Sequence, residues 1–390
     1  MFRMAVGQSD DIDLDAALES VFRECDAGLQ GATPKAAILF AAWDLDHPAL
    51  VEAIHRRYPG IDVAGATTAG EMSSVMGFSE DSIAMALFAS DTVDMTSGLG
   101  ANLWEDPRKA TRTAVEQARA KTTRAPRLCL VMPTVAGKEA DEILAGLREA
   151  LGPGIPIVGG GASPEDPAQP GATVGHQIAG DIVAEDAISI LLFSGDLEFS
   201  IGVQTGWEGV GPRGKVTKTT PEGYVEEIDG RPAIELFSRY LGPQVPPVAN
   251  PLAVFEAPDS DRFYLRTAIS YDHATGTVGF FGPVPDDATV QMTVAAPEQV
   301  FEGTRASITE ALAAYPEGKS PSAALVFSCA TRRFMLGTRV GHVFELVRDL
   351  LGADVPVAGM YCLGEIAPMS EVDRSRFHNG TLVSVLLGAA

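Results

Sequence analysis

The chain has 390 residues, 46% of them hydrophobic, and a formal net charge of −23 from 52 acidic and 29 basic residues. This much apolar sequence is enough for two or three folded domains and excludes a disordered chain. The acidic excess repels phosphate backbones and anionic lipids, so we expect neither nucleic acid nor a membrane as a partner.

The N-terminal residues and the cysteines predict a cytoplasmic protein. Acidic residues stand where a signal peptide would have its apolar stretch, and no apolar run approaches the roughly 20 residues of a membrane helix. The cysteines are far apart, which fits a reducing compartment and gives no zinc site from cysteines alone. They are Cys25, Cys129, Cys329 and Cys362.

Predicted strands and helices alternate through the N-terminal half. Strands are expected at Met4–Val6, Lys35–Ala41, Ile61–Ala64, Ser82–Phe88, Arg127–Met132, Ile155–Val158, Thr173–Ile178, Ala187–Phe193 and Leu197–Val203. Helices are expected after Asp13 or Asp15 and at Pro48–Tyr58, Arg108–Lys121 and Lys138–Leu151. Buried strands joined through a helix imply parallel pairing. The pattern of strand, helix, strand, loop and strand occurs twice, which indicates an internal duplication.

The C-terminal half begins with the segment Gly206–Gly214, whose four glycines and one proline predict a hinge or linker. Strands follow at Lys215–Lys218 and Tyr224–Ile228, then a helix at Pro232–Leu241 and a proline-rich loop at Pro243–Pro258. The strands Phe263–Tyr271, Thr277–Phe281 and Thr289–Val294 have short turns between them, which predicts an antiparallel meander. After a helix at Pro297–Tyr315, the repeated pattern returns at Ser322–Ser328, Val340–Leu351, Val355–Ala358 and Thr381–Leu387.

The predicted fold class is therefore α/β with α+β elements. We expect repeated β-α-β-loop-β units in mixed, largely parallel sheets, and an antiparallel meander in the C-terminal half. The predicted domains are residues 1–206 and 215–390, joined by a linker at 207–214.

One short phrase occurs three times: an apolar strand that ends in glycine, followed by a polar loop with a glutamate six residues after that glycine. The glycines are Gly65, Gly159 and Gly359, and the glutamates are Glu71, Glu165 and Glu365. Ligands bind outside the carboxyl ends of parallel strands, and glycine allows a ligand to approach the backbone. The alternative is that these glycines only form tight turns. Because three copies share the glutamate, we favour a binding site.

Two of these glutamates, Glu71 and Glu365, could form a carboxylate pair that binds a ligand amino group or performs acid–base chemistry. Alternatively, each caps backbone N–H groups in its loop. The run Gly159–Gly161 is not followed by a phosphate-binding motif, so a nucleotide is not expected.

Cys329 closes a predicted apolar strand and is followed by Arg332 and Arg333. The two guanidinium groups could hold a ligand carboxylate or propionate with bidentate hydrogen bonds. A thiol beside them could have a lowered pKa and act as a nucleophile. The alternative is that Cys329 is a small apolar side chain at the end of a buried strand.

The six histidines form no pair with the sequence spacing of a metal site, so zinc is not expected. Any one of them could be an axial haem ligand. The candidates are His176 and His378, near the predicted cleft loops, and His342, near the start of a predicted helix. The alternative for each is an ordinary surface or hydrogen-bonded histidine.

Several phrases of the chain resemble the FIST sensory domains. The C-terminal ones are Cys329-Ala-Thr-Arg-Arg, Gly359-Met-Tyr-Cys-Leu-Gly-Glu-Ile-Ala-Pro and Phe377-His-Asn-Gly-Thr-Leu-Val. Lys215-Val-Thr-Lys with Ile228-Asp-Gly-Arg-Pro-Ala resembles the start of the family's C-terminal half, and Gly65-Ala-Thr-Thr-Ala-Gly-Glu resembles its N-terminal phrase. The chain departs from the family at Leu363, where an aromatic residue is common. The resemblance implies a FIST N-like domain followed by a FIST C-like domain.

The resemblance also implies a bacterial, non-catalytic sensor of small ligands such as amino acids. Some stand-alone FIST proteins bind haem b and sense nitric oxide (the NosP type), and these act on a histidine kinase or a cyclic-di-GMP enzyme. Haem is therefore a candidate cofactor here, and the signal would pass to such a partner protein. The alternative is an enzyme that uses Cys329 or the pair Glu71 and Glu365. The candidate ligand-binding residues are Gly65, Thr67, Thr68, Glu71, Gly159, Gly160, Cys329, Arg332, Arg333, Tyr361, Cys362, Glu365, His378 and Asn379.

Overall fold

The computed structural model describes residues 1–134, 139–166, 174–242, 248–369 and 374–390. In these parts of the chain one structural unit occurs three times, and the third copy is interrupted by an inserted antiparallel segment. We call them the first unit (residues 2–90), the second unit (93–195), the third unit (197–205 and 297–389) and the insertion (208–294).

The secondary structure elements are given in chain order. The first unit contains β1 Phe2–Ser9, α1 Leu14–Leu29, β2 Ala36–Ala41, α2 His47–Arg57, β3 Asp62–Thr67, β4 Glu71–Ser73, β5 Gly77–Ser79 and β6 Ile83–Ser90. The second unit contains β7 Val93–Ala101, α3 Pro107–Ala120, β8 Pro126–Pro133, α4 Ala140–Leu151, β9 Ile157–Gly161, β10 Gln177–Ala179, β11 Ile182–Ala184 and β12 Ala187–Gly195.

The third unit starts with β13 Leu197–Thr205. The insertion contains β14 Glu208–Thr219, β15 Val225–Ile228, β16 Arg231–Pro232, α5 Ala233–Leu241, β17 Leu252–Phe255, β18 Phe263–Arg266, β19 Ala268–Asp272, β20 Thr277–Phe280 and β21 Thr289–Val294. The third unit continues with α6 Pro297–Ala314, β22 Ala323–Cys329, α7 Ala330–Leu336, α8 Gly341–Leu351, β23 Val357–Ala367, β24 Arg376–His378 and β25 Thr381–Ala389, with a short 3-10 helix at Gly337–Arg339 between α7 and α8.

The same strand order occurs in each unit: β1-β6-β2-β3, β7-β12-β8-β9 and β13-β25-β22-β23. The unit is therefore present three times, and it also includes an outer strand, which is β1, β7 or β13. The strand β7, which opens the second copy, was not predicted. The mixed α/β class is confirmed. Each unit contributes one parallel pair, β2–β3, β8–β9 or β22–β23, and the other strand pairs of the described residues are antiparallel. The sheets are thus mainly antiparallel and not largely parallel as predicted, because one strand of each unit, β6, β12 or β25, runs against both of its neighbours and the exchanged hairpins also pair antiparallel.

The three units exchange strands in a closed ring. The hairpin β4–β5 of the first unit pairs with β23 of the third. The hairpin β10–β11 of the second unit pairs with β3 of the first. The end of β23, which forms the equivalent hairpin with β24, pairs with β9 of the second unit. At each joint the first strand of one unit's hairpin pairs with a strand of another unit: β4 with β23, β10 with β3, and the end of β23 with β9.

A shared apolar core is formed by the inner faces of the strands of all three units. Phe40 of the first unit contacts Phe327 of the third edge to face, with ring centroids 6.1 Å apart. Phe88 of the first unit contacts Phe193 of the second in the same way, at 5.8 Å. The opposite face of each sheet is covered by that unit's own helices, which form separate apolar clusters. Burial on both faces explains why these strands are continuously apolar.

The three repeated glycines occupy equivalent places inside the sheets. Gly65, Gly159 and Gly359 lie opposite Leu39, Val131 and Val326 on the parallel neighbouring strand. A Cβ atom at any of the three would clash with the carbonyl oxygen of that neighbour. The glycines therefore permit a close approach of two strands. They do not end the strands as predicted, since β3, β9 and β23 all continue beyond them.

Two further predictions are corrected within the insertion. The segment predicted as a linker at 207–214 is largely strand, because β14 starts at Glu208 and pairs with β21. The predicted loop Pro243–Pro258 contains β17, which pairs with β18 and β21, while residues 243–247 lie outside the described parts of the chain. The meander is present only in part: β19 and β20 form a hairpin, but β21 pairs with β14 and β17.

Most other predicted elements occur within a few residues of their predicted bounds. The predicted starts of the helix at Lys138 and of the strand at Thr173 fall outside the described residues. The division into domains 1–206 and 215–390 stays a prediction, although β13 from the first of these pairs with β25 from the second. None of the described helices combines the length and the apolar character required to span a bilayer.

Candidate functional site

The ring of three units places three residues at equivalent positions. Glu71 is paired next to Gly359, opposite Met360; Gln177 is opposite Ala66, next to Gly65; and Glu365 is opposite Gly160, next to Gly159. The predicted equivalent in the second copy was Glu165, which is wrong. The equivalent residue is Gln177, because a longer loop separates β9 from the hairpin in the second unit.

Glu71 is completely buried and is held by residues of its own unit. Its carboxylate accepts hydrogen bonds from the Ser82 hydroxyl at 2.6 Å, the Ser82 N–H at 3.3 Å and the Thr68 hydroxyl. Burial nevertheless raises the pKa of Glu71 to about 7, because these hydrogen bonds only partly replace the lost hydration of the charged form.

Glu365 is also completely buried, and its partners are equivalent ones. It accepts hydrogen bonds from the Thr381 hydroxyl at 2.7 Å and the Thr381 N–H at 3.1 Å, and the Cys362 thiol lies 3.5 Å away. Burial raises the pKa of Glu365. Among the described residues Glu71 and Glu365 share no hydrogen-bond partner, and each is bonded within its own unit.

Gln177 shows that a charge is not needed at this position. Its Oε1 accepts hydrogen bonds from the Thr134 hydroxyl at 2.7 Å and from the Ala187 N–H at 3.2 Å. The Ala187 N–H is equivalent to those of Ser82 and Thr381 in the other units. All three side chains therefore have the common role of accepting a buried backbone N–H, which is the alternative stated above for the two glutamates.

A cavity of about 380 Å³ lies at the joint between the units, where several strand ends meet. Its lining includes Thr68 and Glu71 from the first predicted loop, Glu165 from the second, and Arg333 from the segment after β22. Residues from all three units thus converge on one cavity. The sequence did not identify its remaining lining residues, which are Ala42, Trp43, Asp44, Ala69, Gly70, Glu80, Asp81, Asp166 and Phe334.

The cavity is strongly acidic. Six carboxyl side chains and one guanidinium group line it among the described residues, the carboxyl groups being those of Asp44, Glu71, Glu80, Asp81, Glu165 and Asp166. The guanidinium group of Arg333 is already paired with Glu80 at 2.6 Å and donates a hydrogen bond to the Ala69 carbonyl. The field inside the cavity therefore favours a cationic group.

Arg332 lies in the interior and has unfilled hydrogen-bonding capacity. Its Nη2 donates to the Val300 carbonyl at 2.8 Å and to the Thr304 hydroxyl at 2.7 Å. Its Nε and Nη1 have no partner among the described residues. Burial lowers the pKa of Arg332, while Tyr361, Glu365 and Cys329 oppose this effect. Four of the predicted ligand-binding residues therefore lie near one another in the interior: Arg332, Tyr361, Glu365 and Cys329.

The cysteines do not have the properties of nucleophiles. Cys329 and Cys362 are opposite each other on β22 and β23, and both are buried. Burial raises the pKa of each thiol, and the charge of Glu365 raises it further. The proposed lowering of the Cys329 pKa by two guanidinium groups is therefore wrong, because desolvation dominates.

Several other predicted residues have structural contacts. Thr67 donates a hydrogen bond to the Ser163 carbonyl at 2.6 Å across the joint of the first and second units. A Cβ atom at Gly160 would clash with Cys362. Asn379 accepts a hydrogen bond from the Thr267 N–H at 2.8 Å and donates one to the His378 carbonyl at the same distance.

None of the three predicted haem ligands is among the described residues that line the cavity. His378 is buried and bonded to the Ala367 carbonyl at 3.0 Å, and burial lowers its pKa to about 3. His342 is exposed on α8 and bonded to Glu345 at 2.7 Å. No histidine, His176 included, lines the cavity in the described parts of the chain. The residues present at this site therefore do not fit an axially ligated haem. Nor do the described residues contain a cluster of three or more His, Cys, Asp or Glu side chains that could hold a metal ion.

Residues 35–231 match the FIST N domain, and residues 233–368 match the FIST C domain. Two uncharacterized proteins from Mycobacterium tuberculosis, strains CDC 1551 and H37Rv, are each 32% identical to the chain over 114 residues. These matches span 29% of the chain and 29% of each relative.

Two solved structures have a low overall similarity to the fold. A cyanuric acid hydrolase from A. caulinodans aligns with a TM-score of 0.34 and 10% identity, covering 100% of this chain and 99% of that one. PurLQS from Thermotoga maritima aligns with a TM-score of 0.25 and 12% identity, covering 100% and 72%. From its two domain matches, the chain belongs to the FIST family, whose domains are small-ligand sensory domains of signalling proteins.

Proposed function

We propose that the protein is a non-catalytic sensor that binds a small ligand with a cationic group, such as an amino acid, in the acidic cavity. The convergence of all three units on this cavity is the observation that carries the proposal. A ligand there touches residues of different units, so its binding changes the relative stability of arrangements of the ring. A partner protein that recognises one arrangement would then read the signal.

The charge of the cavity supports the choice of ligand. Among the described residues six carboxyl groups surround the cavity, and the Arg333 guanidinium group that also lines it is paired with Glu80. An ammonium group is compact and can donate hydrogen bonds to several carboxylates at once. Glu71 attracts a cation only when its carboxyl group is ionised, and the pKa of this group is raised to about 7. We therefore expect ligand affinity to rise as the pH increases through neutrality.

Thermal unfolding in the presence of individual amino acids and simple amines tests this proposal. A ligand at 100-fold its Kd adds about 2.7 kcal/mol to the free energy of unfolding. The stabilisation should be lost in Glu71→Gln, since Gln177 shows that an amide fits the equivalent position. Glu365→Gln is the matched control, because Glu365 is buried in the same way but does not line the cavity. Equal loss in both variants would contradict the assignment of the cavity.

The proposed signalling partner is a histidine kinase or a cyclic-di-GMP enzyme, as the resemblance implied, and the proposed location is the cytoplasm, as the N-terminal residues and the cysteines predicted. Its test is the activity of such a partner with and without the protein and its ligand. The haem and nitric oxide version stays a prediction of the resemblance. An absorption spectrum of protein expressed with haem supplied tests it, and a Soret band lost on replacing one of the three candidate histidines would favour it over the amine ligand.

A further inference from the structure

Two histidines face each other at the joint between the first and second units. His47 is the first residue of α2, and His176 directly precedes β10. Their Nδ1 atoms are 3.2 Å apart, and their rings are nearly perpendicular, with centroids separated by 5.0 Å. His47 is buried, whereas the His176 side chain is 21% exposed.

The outer nitrogens of both rings determine where the protons lie. His47 Nε2 is 2.9 Å from the Ala42 carbonyl oxygen, and His176 Nε2 is 3.3 Å from a carboxylate oxygen of Glu185. A carbonyl and a carboxylate oxygen accept here, so both contacts are hydrogen bonds when each Nε2 carries a proton. If both rings were neutral, two lone pairs would face each other at 3.2 Å. A positive charge between the two Nδ1 atoms removes that repulsion.

The surroundings place this charge on His176. A carboxylate oxygen of Glu185 lies 3.3 Å from its Nε2, where it would pair with a protonated ring, and the Trp43 ring is stacked on its face at a centroid distance of 5.9 Å and an angle of 28°. An aromatic face attracts a cation. His47, in contrast, has its pKa lowered by burial, although Asp44 and Asp46 oppose this effect. Glu185, Asp44 and Asp46 are the charged groups that face the two rings.

We propose that His47 and His176 form a proton-binding site, in which the protonated His176 donates one hydrogen bond to His47 and another to Glu185. The bound proton joins the first two units and holds Trp43 in place. A metal ion is the other cation that could lie between two imidazole nitrogens, but no third His, Cys, Asp or Glu completes such a site among the described residues.

This site is connected to the acidic cavity. The Trp43 ring that is stacked on His176 also lines the cavity, and its indole N–H is fixed by the Val174 carbonyl at 2.9 Å. The His176 backbone is bonded in both directions to Thr67 of the first unit, at 2.9 and 3.0 Å. Loss of the proton would therefore loosen a wall of the cavity. This regulatory consequence rests on the proposed function, whereas the proton site itself does not.

The site is tested by nitrogen NMR of the histidine rings and by tryptophan fluorescence, across the pH range of about 5 to 8 in which histidines titrate. We expect His176 to show two protonated ring nitrogens at the acidic end, while His47 shows one, on Nε2. The contribution of Trp43 to the fluorescence is the emission that is lost in Trp43→Phe. This contribution should increase with pH in the natural protein and stay constant in His176→Gln. His342→Gln, which removes an exposed histidine bonded to Glu345, is the matched control and should change nothing.

Two results would overturn the proposal: His47 as the doubly protonated ring, or a spectrum of the pair that changes when EDTA is added, which would show a bound metal ion. Because these measurements use no ligand, they can succeed when every amine fails to bind. If an amino acid such as arginine binds, the change of its Kd with pH should differ between the natural protein and His176→Gln. An identical profile would refute the regulatory link but leave the proton site intact.

Discussion

Replacing Glu71 by glutamine removes a buried acid without changing its shape. The equivalent position in the second unit already holds Gln177, whose Oε1 accepts the same backbone hydrogen bond. In the variant, the side-chain oxygen can still accept from the Ser82 N–H, and the new NH₂ group can donate to the Thr68 hydroxyl oxygen. The substitution therefore tests the ionisation of Glu71 and not its packing.

The magnitude follows from the pKa of this carboxyl group. A change from its ordinary value of 4.5 to about 7 corresponds to about 3 kcal/mol, since each pH unit is worth about 1.4 kcal/mol. The folded protein binds the proton more tightly than the unfolded chain does. Glu71 therefore contributes stability that is fully present below about pH 4.5 and is lost as the pH rises through about 7. Most of it, about 2 to 3 kcal/mol, is lost between pH 5 and 8.

Urea unfolding at pH 5 and pH 8, monitored by circular dichroism, measures the effect. The natural protein should lose about 2 to 3 kcal/mol more stability over this interval than Glu71→Gln does. Glu116→Gln, at an exposed position of α3, controls for the loss of one acidic residue and should follow the natural protein. Parallel losses in the natural protein and Glu71→Gln would show that Glu71 is already ionised at pH 5, and would refute the effect assigned to burial.

Two further predictions concern packing and the thiols. Gly65→Ala should destabilise the protein by at least about 2 kcal/mol, because the new Cβ clashes with the Leu39 carbonyl. Gly341→Ala, in open space at the start of α8, should be neutral or stabilising. Equal urea midpoints for the two variants would contradict this explanation. Cys329 and Cys362 should react with Ellman's reagent far more slowly in the folded protein than after unfolding, because burial raises their pKa values. Rapid modification of the folded protein, measured with Cys329→Ser as reference, would instead show an accessible thiolate.

Most elements and the existence of the repeat could be predicted from the sequence alone, although β7 could not. Each unit's central strands are continuously apolar because the sheets are covered on both faces, and this pattern can be read without knowing which strands pair. The glycines Gly65, Gly159 and Gly359 are visible as a repeat because a close strand approach forbids any side chain at that position. The residue spacing around them also predicted Thr68 and Glu71 as ligand-binding residues, and both line the cavity.

The tertiary structure decided how the copies are combined. Exchange of hairpins between units is a long-range pairing, and it left no local signal that Gln177 and not Glu165 is the equivalent of Glu71. Ionisation was likewise decided by the fold, because the pKa of a side chain depends on the hydration that it loses. The sequence placed Cys329 beside two arginines, but only the burial of the whole group determines whether its thiol is protonated.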